Sequence, residues 1–239
     1  MKGSLQKINS NTDFIAGQLI LIDKPLEWTS FDVVNKLRYK IRDYLGVKKI
    51  KVGHAGTLDP LATGLLIICT GRKTKTIDHY QGLEKEYTGT FELGRETPSY
   101  DSETETTHEY DISNLTPEDL RSATKSFTGV QEQTPPLYSA KRIKGKRAYE
   151  FARKKQDVEI NPVTINIMDF ELTRIELPEV DFRVVCEKGV YIRSLVHDFG
   201  KYFNNGAVLT SLRRTRIGEF HVNDAYNLFE LVNKIAQEK

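Results

Sequence analysis

The chain has 239 residues, 38% of them hydrophobic and 28% charged, with a formal net charge of +2 at pH 7. Its length is enough to bury a sizeable core in one large domain or in a domain with an insertion. No apolar run approaches the roughly 18 residues of a membrane span and the N-terminus lacks the apolar segment of a signal peptide, so we expect a cytoplasmic protein without membrane contact. The two cysteines and five histidines lack ligand spacing, which argues against a disulfide framework and a metal site.

The N-terminal region begins with a polar stretch, residues 1–16, for which we predict a flexible arm. Residues 18–23 are apolar enough for a buried strand that ends at a Lys-Pro pair. Thr29 or Ser30 is placed to cap a following helix, because a side-chain oxygen at that position accepts from the first free N–H groups. Its buried face is predicted from apolar residues at helical spacing. These residues are Val33, Val34, Leu37, Ile41 and Leu45.

Residues 53–66 concentrate three glycines, a histidine, a proline and one carboxylate just ahead of an apolar run. The run, 65–69, predicts a buried strand or short helix that anchors the polar loop to the core. Asp59 precedes the proline, which pushes its backbone towards an extended conformation and limits the swing of the carboxylate. No other acidic residue lies between Asp43 and Asp78, so Asp59 is a candidate nucleophile or single acid-base group. An Asp-Pro pair alone is typical of a plain turn.

The elements after the loop follow from periodicity and from capping residues. They are a short helix over 71–82, a strand over 85–93, a helix that begins at Thr116 and ends before Gly129, β-rich stretches over 163–173 and 180–186, and helices over 192–202 and 228–237. If the strand over 180–186 extended far enough, Tyr191 and Arg193 would point to the same face, because residues two apart on a strand do so.

The small net charge hides a segregation of charge along the chain. Residues 96–120 carry eight acidic residues and no Lys or Arg, whereas residues 138–155 carry eight basic residues against one acidic residue, Glu150. Clustered Lys and Arg supply much of the affinity of proteins for nucleic acids, through contacts with phosphate groups. A basic run is also typical of a solvated surface, so charge alone leaves both interpretations open.

Several stretches together resemble the TruB family of bacterial tRNA pseudouridine synthases. The more specific ones are His-Ala-Gly-Thr-Leu-Asp-Pro-Leu-Ala-Thr-Gly at 54–64, which is similar to the active-site motif of the family, and Lys-Gly-Val-Tyr-Ile-Arg-Ser-Leu at 188–195. Further similar stretches are the Lys24-Pro25 strand ending and residues 84–87, 134–141, 145–153 and 207–218. The resemblance covers roughly residues 17 to 232.

The resemblance implies that Asp59 is the catalytic residue. It implies that His54 occupies the space near a displaced base or contacts the substrate, and that the Lys24-Pro25 ending braces the active-site loop. Asp59 would either attack the ribose or the base, or remove a ribose proton to give a glycal. The sequence leaves these routes open.

Four other residues acquire substrate-binding roles through the same resemblance. Tyr87 would stack on the target base, Tyr191 and Arg193 would lie beside the catalytic carboxylate, and Leu212 would contribute to the pocket. Each has a structural alternative: a strand tyrosine usually packs across strands, an arginine often forms a structural ion pair, and a leucine packs in the core.

The implied architecture is the α+β pseudouridine synthase fold, with a central mixed, mainly antiparallel sheet flanked by helices. The catalytic domain would span 17–239, with a basic RNA-clamping insertion at about 127–160 and no C-terminal PUA-type domain. We also expect Arg213, Arg214 and Arg216 to add to an RNA-facing surface.

The implied function is isomerisation of uridine to pseudouridine at position 55 in the TΨC loop of tRNA, after base flipping and without a cofactor. The expected partner is the TΨC arm of tRNA, and we expect a monomer with no obligate protein partner. The alternative is a non-catalytic tRNA-binding or tRNA-folding protein that keeps the pocket as a grip. The loop favours the enzyme, because a binder has little need for a lone carboxylate facing a polyanion.

Overall fold

The computed structural model describes residues 8–237 except 140, 144, 155 and 157, and for 142, 143, 146, 147, 149, 152 and 153 it describes the backbone alone. The strands in these ranges are β1 (Leu19–Lys24), β2 (Val52–His54), β3 (Ala62–Thr70), β4 (Lys85–Leu93), β5 (Arg95–Glu96), β6 (His108–Glu109), β7 (Gly129–Gln133), β8 (Arg142–Ile143), β9 (Lys146–Arg147), β10 (Val163–Glu176), β11 (Glu179–Cys186), β12 (Ala207–Ile217), β13 (Phe220–His221) and β14 (Tyr226–Asn227). The α-helices are α1 (Ser30–Leu45), α2 (Ile77–Gly82), α3 (Pro117–Ala123), α4 (Ala148–Arg153), α5 (Ile192–Tyr202) and α6 (Leu228–Gln237).

The chain divides into two compact units, of which the first contains residues 1–85 and 213–239 and the second contains residues 86–212. In the first unit, β1 pairs antiparallel with β3, from Leu19 opposite Cys69 to Lys24 opposite Gly64, and pairs parallel with β14. Strand β2 pairs antiparallel with the C-terminal end of β3, where His54 lies opposite Ile68. The sheet is therefore mixed but mainly antiparallel.

The first unit buries both faces of β3, because successive side chains on a strand point to opposite faces. Leu66 and Ile68 pack with the apolar face of α1 and with α6, whereas Leu65 and Ile67 pack on the opposite side with Ile217 and Phe220. The apolar run, for which the sequence left a buried strand or a short helix open, is a strand, and its two buried faces anchor the loop ahead of it on two cores.

Helix α1 begins where the sequence predicts. The Thr29 side chain accepts from the Asp32 N–H while the Asp32 side chain accepts from the Thr29 N–H, which forms a capping box. The helix ends at Gly46, which adopts a left-handed conformation with φ of 65° that costs glycine little. These two caps define the ends of α1, and its first residue, Ser30, is buried.

The second unit is built on an antiparallel hairpin of β10 and β11, with β7 paired antiparallel to β10 at the edge. Strand β4 and residues 207–212 of β12 continue this sheet. Its core is aromatic. Phe91, Phe127, Phe170, Phe182 and Phe199 contact one another with ring centroids 5.4 to 6.5 Å apart. The α+β fold class with a mixed, mainly antiparallel sheet is confirmed, and none of the described helices is both long and apolar enough to cross a membrane.

Three predictions about local structure differ from the fold. From residue 8 onward the N-terminal segment is not a loose arm, because Ile8 and Phe14 are 2% and 1% exposed in the first core and the Phe14 carbonyl accepts from the Thr70 hydroxyl at 2.9 Å. The stretch over 71–82 is a 3-10 helix, Gly71–Thr76, followed by α2, rather than one helix. Strand β11 ends at Cys186, so it does not carry the residues at 191 and 193.

Most basic side chains of the insertion lie outside the described ones. Of its eight basic residues, only Lys141 and Lys154 have side chains within the described part of the chain. Lys141 donates to the Asn161 carbonyl at 3.1 Å.

Candidate active site

Asp59 lies in the loop between β2 and β3, in the first unit, and its side chain is half-buried. The neighbouring peptide groups are held one after another by atoms of other segments. The Ala55 N–H donates to the Ile67 carbonyl at 2.9 Å, the Ala62 N–H donates to the Asp59 carbonyl at 3.1 Å, and the Glu27 N–H donates to the Pro60 carbonyl at 2.9 Å. The loop is therefore fixed by hydrogen bonds and not by regular secondary structure.

Ser30 holds the residue just before Asp59. Its hydroxyl accepts from the Leu58 N–H at 2.8 Å and lies 3.2 Å from the Leu58 carbonyl, to which it donates. Both residues are buried. A hydroxyl can make both bonds at once because it has one donor and two acceptor positions.

Arg214, on β12, holds the loop from a further direction. Its Nε donates to the Leu65 carbonyl at 2.7 Å, its Nη2 to the Gly56 carbonyl at 3.1 Å, and its Nη1 to the Thr57 carbonyl at 3.5 Å. The residue is 1% exposed. The prediction that Arg214 adds to an RNA-facing surface is therefore wrong, because the side chain is buried and its N–H groups donate inside the unit.

Lys24 is fully buried at the end of β1, and its ammonium group donates to three carbonyls, at 2.9 Å to Pro25, 2.5 Å to Trp28 and 3.3 Å to Pro60. Burial lowers the pKa of Lys24 to about 8, while the negative charge of Asp59 raises it and the positive charge of Arg214 lowers it. At pH 7 the ammonium is still protonated. The residue therefore braces the loop through the Pro60 carbonyl and keeps a positive charge within electrostatic range of Asp59.

His54 ends β2, five residues before Asp59. Burial lowers its pKa below the usual value, the charge of Arg214 lowers it further, and a backbone hydrogen bond with Gly56 opposes them. The imidazole is therefore neutral at pH 7. Its Nδ1 is buried and has no hydrogen-bond partner among the described residues, so this ring offers a polar atom to a ligand.

The remaining predicted site residues lie in the second unit. Tyr191 is the residue that precedes α5, and its peptide is clamped by the buried side chain of Gln133, which accepts from its N–H at 2.8 Å and donates to its carbonyl at 3.1 Å. Tyr87, on β4, is 8% exposed, and Leu212, on β12, is half-buried.

Arg193 lies in the first turn of α5 and is 4% exposed. Its Nη1 donates to the Ser99 carbonyl at 3.1 Å, its Nη2 donates to the Tyr138 carbonyl at 2.8 Å, and its Nε lies 3.6 Å from Oδ2 of Asp101. Asp101 and Ser99 were missed by the sequence analysis, because nothing distinguishes them within the acidic stretch. The structural ion pair that was the alternative for Arg193 is present, and its substrate role stays a prediction.

The other two arginines of the β12 motif are also engaged within the first unit. Arg213 forms a bidentate pair with Asp23, with distances of 3.0 and 2.6 Å, and Arg216 pairs with Glu84 at 2.5 Å. Their charges are largely balanced where they lie. For these two partly exposed side chains the RNA-facing role stays a prediction, because an ion pair does not exclude contact with RNA.

A different group of cations flanks the loop. Two segments meet where the Gly71 N–H donates to the Lys51 carbonyl at 2.8 Å, and both are rich in lysine and arginine. We call the exposed members the basic face, which consists of Lys48, Lys49, Lys51, Arg72 and Lys75. It borders β2, which leads into the His54 end of the loop. The sequence alone did not reveal this face because its members come from two short segments that are separated by 20 residues of the chain.

The chain is similar to known proteins over most of its length. A model of the TruB family pseudouridylate synthase N-terminal domain matches residues 42–192. The tRNA pseudouridine synthase B of Flavobacterium johnsoniae is 52% identical over 217 residues, covering 90% of this chain and 95% of that protein. That of Parabacteroides distasonis is 54% identical over 207 residues, covering 87% of this chain and 88% of that protein.

A solved structure of a Cbf5–Nop10–Gar1 complex contains a chain of similar fold, with a TM-score of 0.68 and 28% sequence identity. The match covers 95% of the present chain and 56% of that chain. The present chain thus spans a little more than half of the length of that solved relative.

Proposed function

The chain belongs to the TruB family of pseudouridylate synthases, and from this premise we propose that it converts uridine to pseudouridine at position 55 in the TΨC loop of tRNA, with Asp59 as the catalytic group. The observation that carries the proposal is the loop that holds Asp59, whose backbone groups are fixed one by one by hydrogen bonds. A fixed carboxylate is what a positioned nucleophile or base requires.

The reaction breaks the bond from N1 of the base to C1′ of the ribose and forms a bond from C5 to C1′, with loss of a proton from C5 and gain of a proton at N1. Substrate and product have the same atoms and the same oxidation state. No co-reactant is needed for balance, and we propose that the protein acts without a cofactor. The two routes for Asp59 are attack by the carboxylate on the ribose or base, and removal of a ribose proton to give a glycal.

The target base must leave the tRNA stack before it can react, and extrusion of a loop nucleotide costs a few kcal/mol. We assign His54 to the space near the displaced base, where its neutral ring suits contact with a nucleoside and its buried Nδ1 has no hydrogen-bond partner among the described residues. Tyr87 is assigned to stacking on the base, because aromatic stacking contributes about 1–3 kcal/mol per base and tolerates a change in the ring. Tyr191, Arg193 and Leu212 are assigned to binding the same nucleotide.

The basic face supports tRNA as the substrate. Its cations are exposed, and no ion pair holds them within the described part of the chain. Lys and Arg exposed in this way bind phosphate groups and release counterions, which supplies sequence-independent affinity for RNA. We propose that this face and the basic insertion, which follows it in the chain, both contact phosphate groups of the RNA. A cytoplasmic location, where tRNA is modified, is part of the same proposal.

The function is tested by incubating the purified protein with an unmodified tRNA transcript, without added cofactor, and mapping pseudouridine by position. We expect product at position 55 alone, and no product when that uridine is replaced by cytidine. Product at another position would reject the substrate assignment and keep the chemistry. Binding without product would favour the non-catalytic tRNA-binding protein.

The assignment of Asp59 is tested by Asp59→Asn, with Asp78→Asn as the matched control, since Asp78 is an exposed carboxylate of the same unit. Asp59→Asn should bind tRNA with near wild-type affinity and yield no pseudouridine, and Asp78→Asn should turn over normally. Substantial turnover by Asp59→Asn would remove Asp59 as the catalytic group.

A further inference from the structure

Arg214 occupies an unusual position for a charged side chain. At 1% exposure it is the bulkiest side chain among the fully buried residues of the described chain. Arginine is almost never fully buried unless it is paired or hydrogen-bonded, because removing its charge from water carries a large free-energy cost. A residue kept in such a place needs a compensating set of hydrogen bonds.

The hydrogen bonds of Arg214 are directed at the loop and at the strand that follows it. The guanidinium donates to carbonyls of Gly56 and Thr57, three and two residues ahead of Asp59, and to the carbonyl of Leu65, on β3. A planar fork of five N–H donors can reach both segments at once, whereas a lysine ammonium acts as a single point. The side chain therefore ties the loop to β3 at a fixed distance.

The surrounding backbone is fitted to this contact. Gly64, on β3, has φ of 102°, and a Cβ atom there would lie 2.3 Å from the carbonyl oxygen of Arg214 and 2.7 Å from its nitrogen. Glycine thus lets β3 and β12 approach closely enough for the guanidinium to pass beneath the loop. Arg213, the preceding residue on β12, instead pairs with Asp23 and is 41% exposed, so the strand turns only one of this neighbouring pair inward.

The charge of Arg214 also reaches the other groups of the loop. It lowers the pKa of both His54 and Lys24, which places the guanidinium within electrostatic range of the two residues that border Asp59. The same cation therefore acts on the geometry of the loop through hydrogen bonds and on its ionisable groups through its field.

We propose that Arg214 is a positioning residue for the reaction: its guanidinium fixes the Gly56 and Thr57 peptides, and through them the direction of the Asp59 carboxylate. The inference rests on the proposed function of Asp59. It predicts that a change at Arg214 lowers the rate of the chemical step without weakening tRNA binding, because the side chain is 1% exposed and its guanidinium donates to the loop.

The experiment compares Arg214→Lys and Arg214→Met with Arg42→Lys, the same change at an exposed position of the same unit. Turnover of tRNA is measured under single-turnover conditions to separate the chemical rate from binding, and tRNA affinity is measured directly. A displacement of the catalytic group by about 1 Å costs about 100-fold in rate, so we expect Arg214→Lys to lose about 10- to 100-fold in the chemical rate. Its tRNA Kd should stay within about threefold of wild type, and Arg42→Lys should resemble wild type in both.

A second measurement does not depend on activity. Hydrogen exchange of peptides that cover residues 53–61 should be faster in Arg214→Lys than in wild type, while exchange in α1 and β1 stays the same. A wild-type chemical rate together with unchanged loop exchange would overturn the inference, as would a loss of activity explained wholly by weaker tRNA binding. Failure of both Arg214 variants to fold would also overturn it, in favour of a purely structural role. If the wild-type protein itself makes no pseudouridine, the proposed function fails, whereas a wild-type rate in Arg214→Lys sinks only the role of Arg214.

Discussion

Ser30 and Leu58 are joined through one hydroxyl, which accepts from the Leu58 N–H at 2.8 Å and donates to the Leu58 carbonyl at 3.2 Å. The first residue of α1 thereby holds the residue that immediately precedes Asp59. The start of α1 is itself fixed by the Thr29 and Asp32 capping box. The loop is therefore attached to a rigid helix end. Catalytic loops gain precision when such elements support them.

Replacing Ser30 with alanine should destabilise the protein and slow catalysis together. The change leaves the buried N–H and carbonyl of Leu58 without their partner, which costs about 1–3 kcal/mol in the free energy of unfolding. The control is Ser10→Ala, at an exposed position of the same unit. Urea denaturation gives the stability and single-turnover kinetics gives the rate. A Ser30→Ala protein as stable as the Ser10→Ala protein would show that this hydroxyl does not hold the loop.

In the second unit, loss of the ion pair between Asp101 and Arg193 should lower the free energy of unfolding by more than Ser30→Ala does in the first. Both side chains are at least 94% buried and their charged groups lie 3.6 Å apart. Asp101→Asn removes the negative charge that faces the guanidinium, and breaking a buried ion pair in this way costs about 3–5 kcal/mol. We expect thermal unfolding at a clearly lower temperature, whereas Glu105→Gln, at an exposed site of the same acidic stretch, should unfold like wild type. Equal melting temperatures for the two variants would contradict a stabilising role for the pair.

Local sequence patterns account for part of the fold and for the position of the site. The apolar periodicity of α1 and the apolar run of β3 predict those elements, and the motif between them identifies Asp59. Strand β12 was not predicted, because its arginines interrupt any alternation and one of them, Arg214, points inward.

The missed contacts join residues far apart in the chain. Gln133 clamps the peptide at Tyr191 across 58 positions, and Arg214 reaches Gly56 across 158. Such pairs depend on strand order in the sheet, which is set by long-range packing and leaves no periodic signal in either segment. Local sequence patterns therefore could not predict the side chains that support the site, although they identified the carboxylate of Asp59.

Lys24 predicts a dependence of stability on pH. Its pKa in the folded protein is lowered from 10.5 to about 8, so between those values the unfolded chain binds a proton that the folded protein has released. Stability therefore rises with pH across this window because of Lys24, and Lys24→Met should lack that contribution. The measurement is the difference in unfolding free energy between wild type and Lys24→Met at pH 7.5 and at pH 10, with exposed Lys36→Met as control. We expect the unfolding free energy of wild type to increase relative to that of Lys24→Met as pH rises. A constant difference would mean that the pKa of Lys24 is not lowered.

The basic face predicts a separable contribution to tRNA binding. Lys51→Gln and Lys75→Gln each remove one exposed cation near the loop, and each lost phosphate contact should reduce the slope of log affinity against log salt concentration by about 1. The chemical rate at saturating tRNA should stay close to wild type, because neither side chain belongs to the set that holds Asp59.

Lys40→Gln is the control for this prediction, since Lys40 already lies 3.6 Å from Asp43 and its charge is partly balanced. Filter binding across a salt series gives the slopes, and single-turnover kinetics gives the rates. If Lys51→Gln and Lys75→Gln bind tRNA with the wild-type slope, the RNA does not contact this face, and the basic insertion must supply the phosphate contacts. If they lower the chemical rate at saturation, the face acts on the position of the target nucleotide as well as on affinity, because binding alone is then complete.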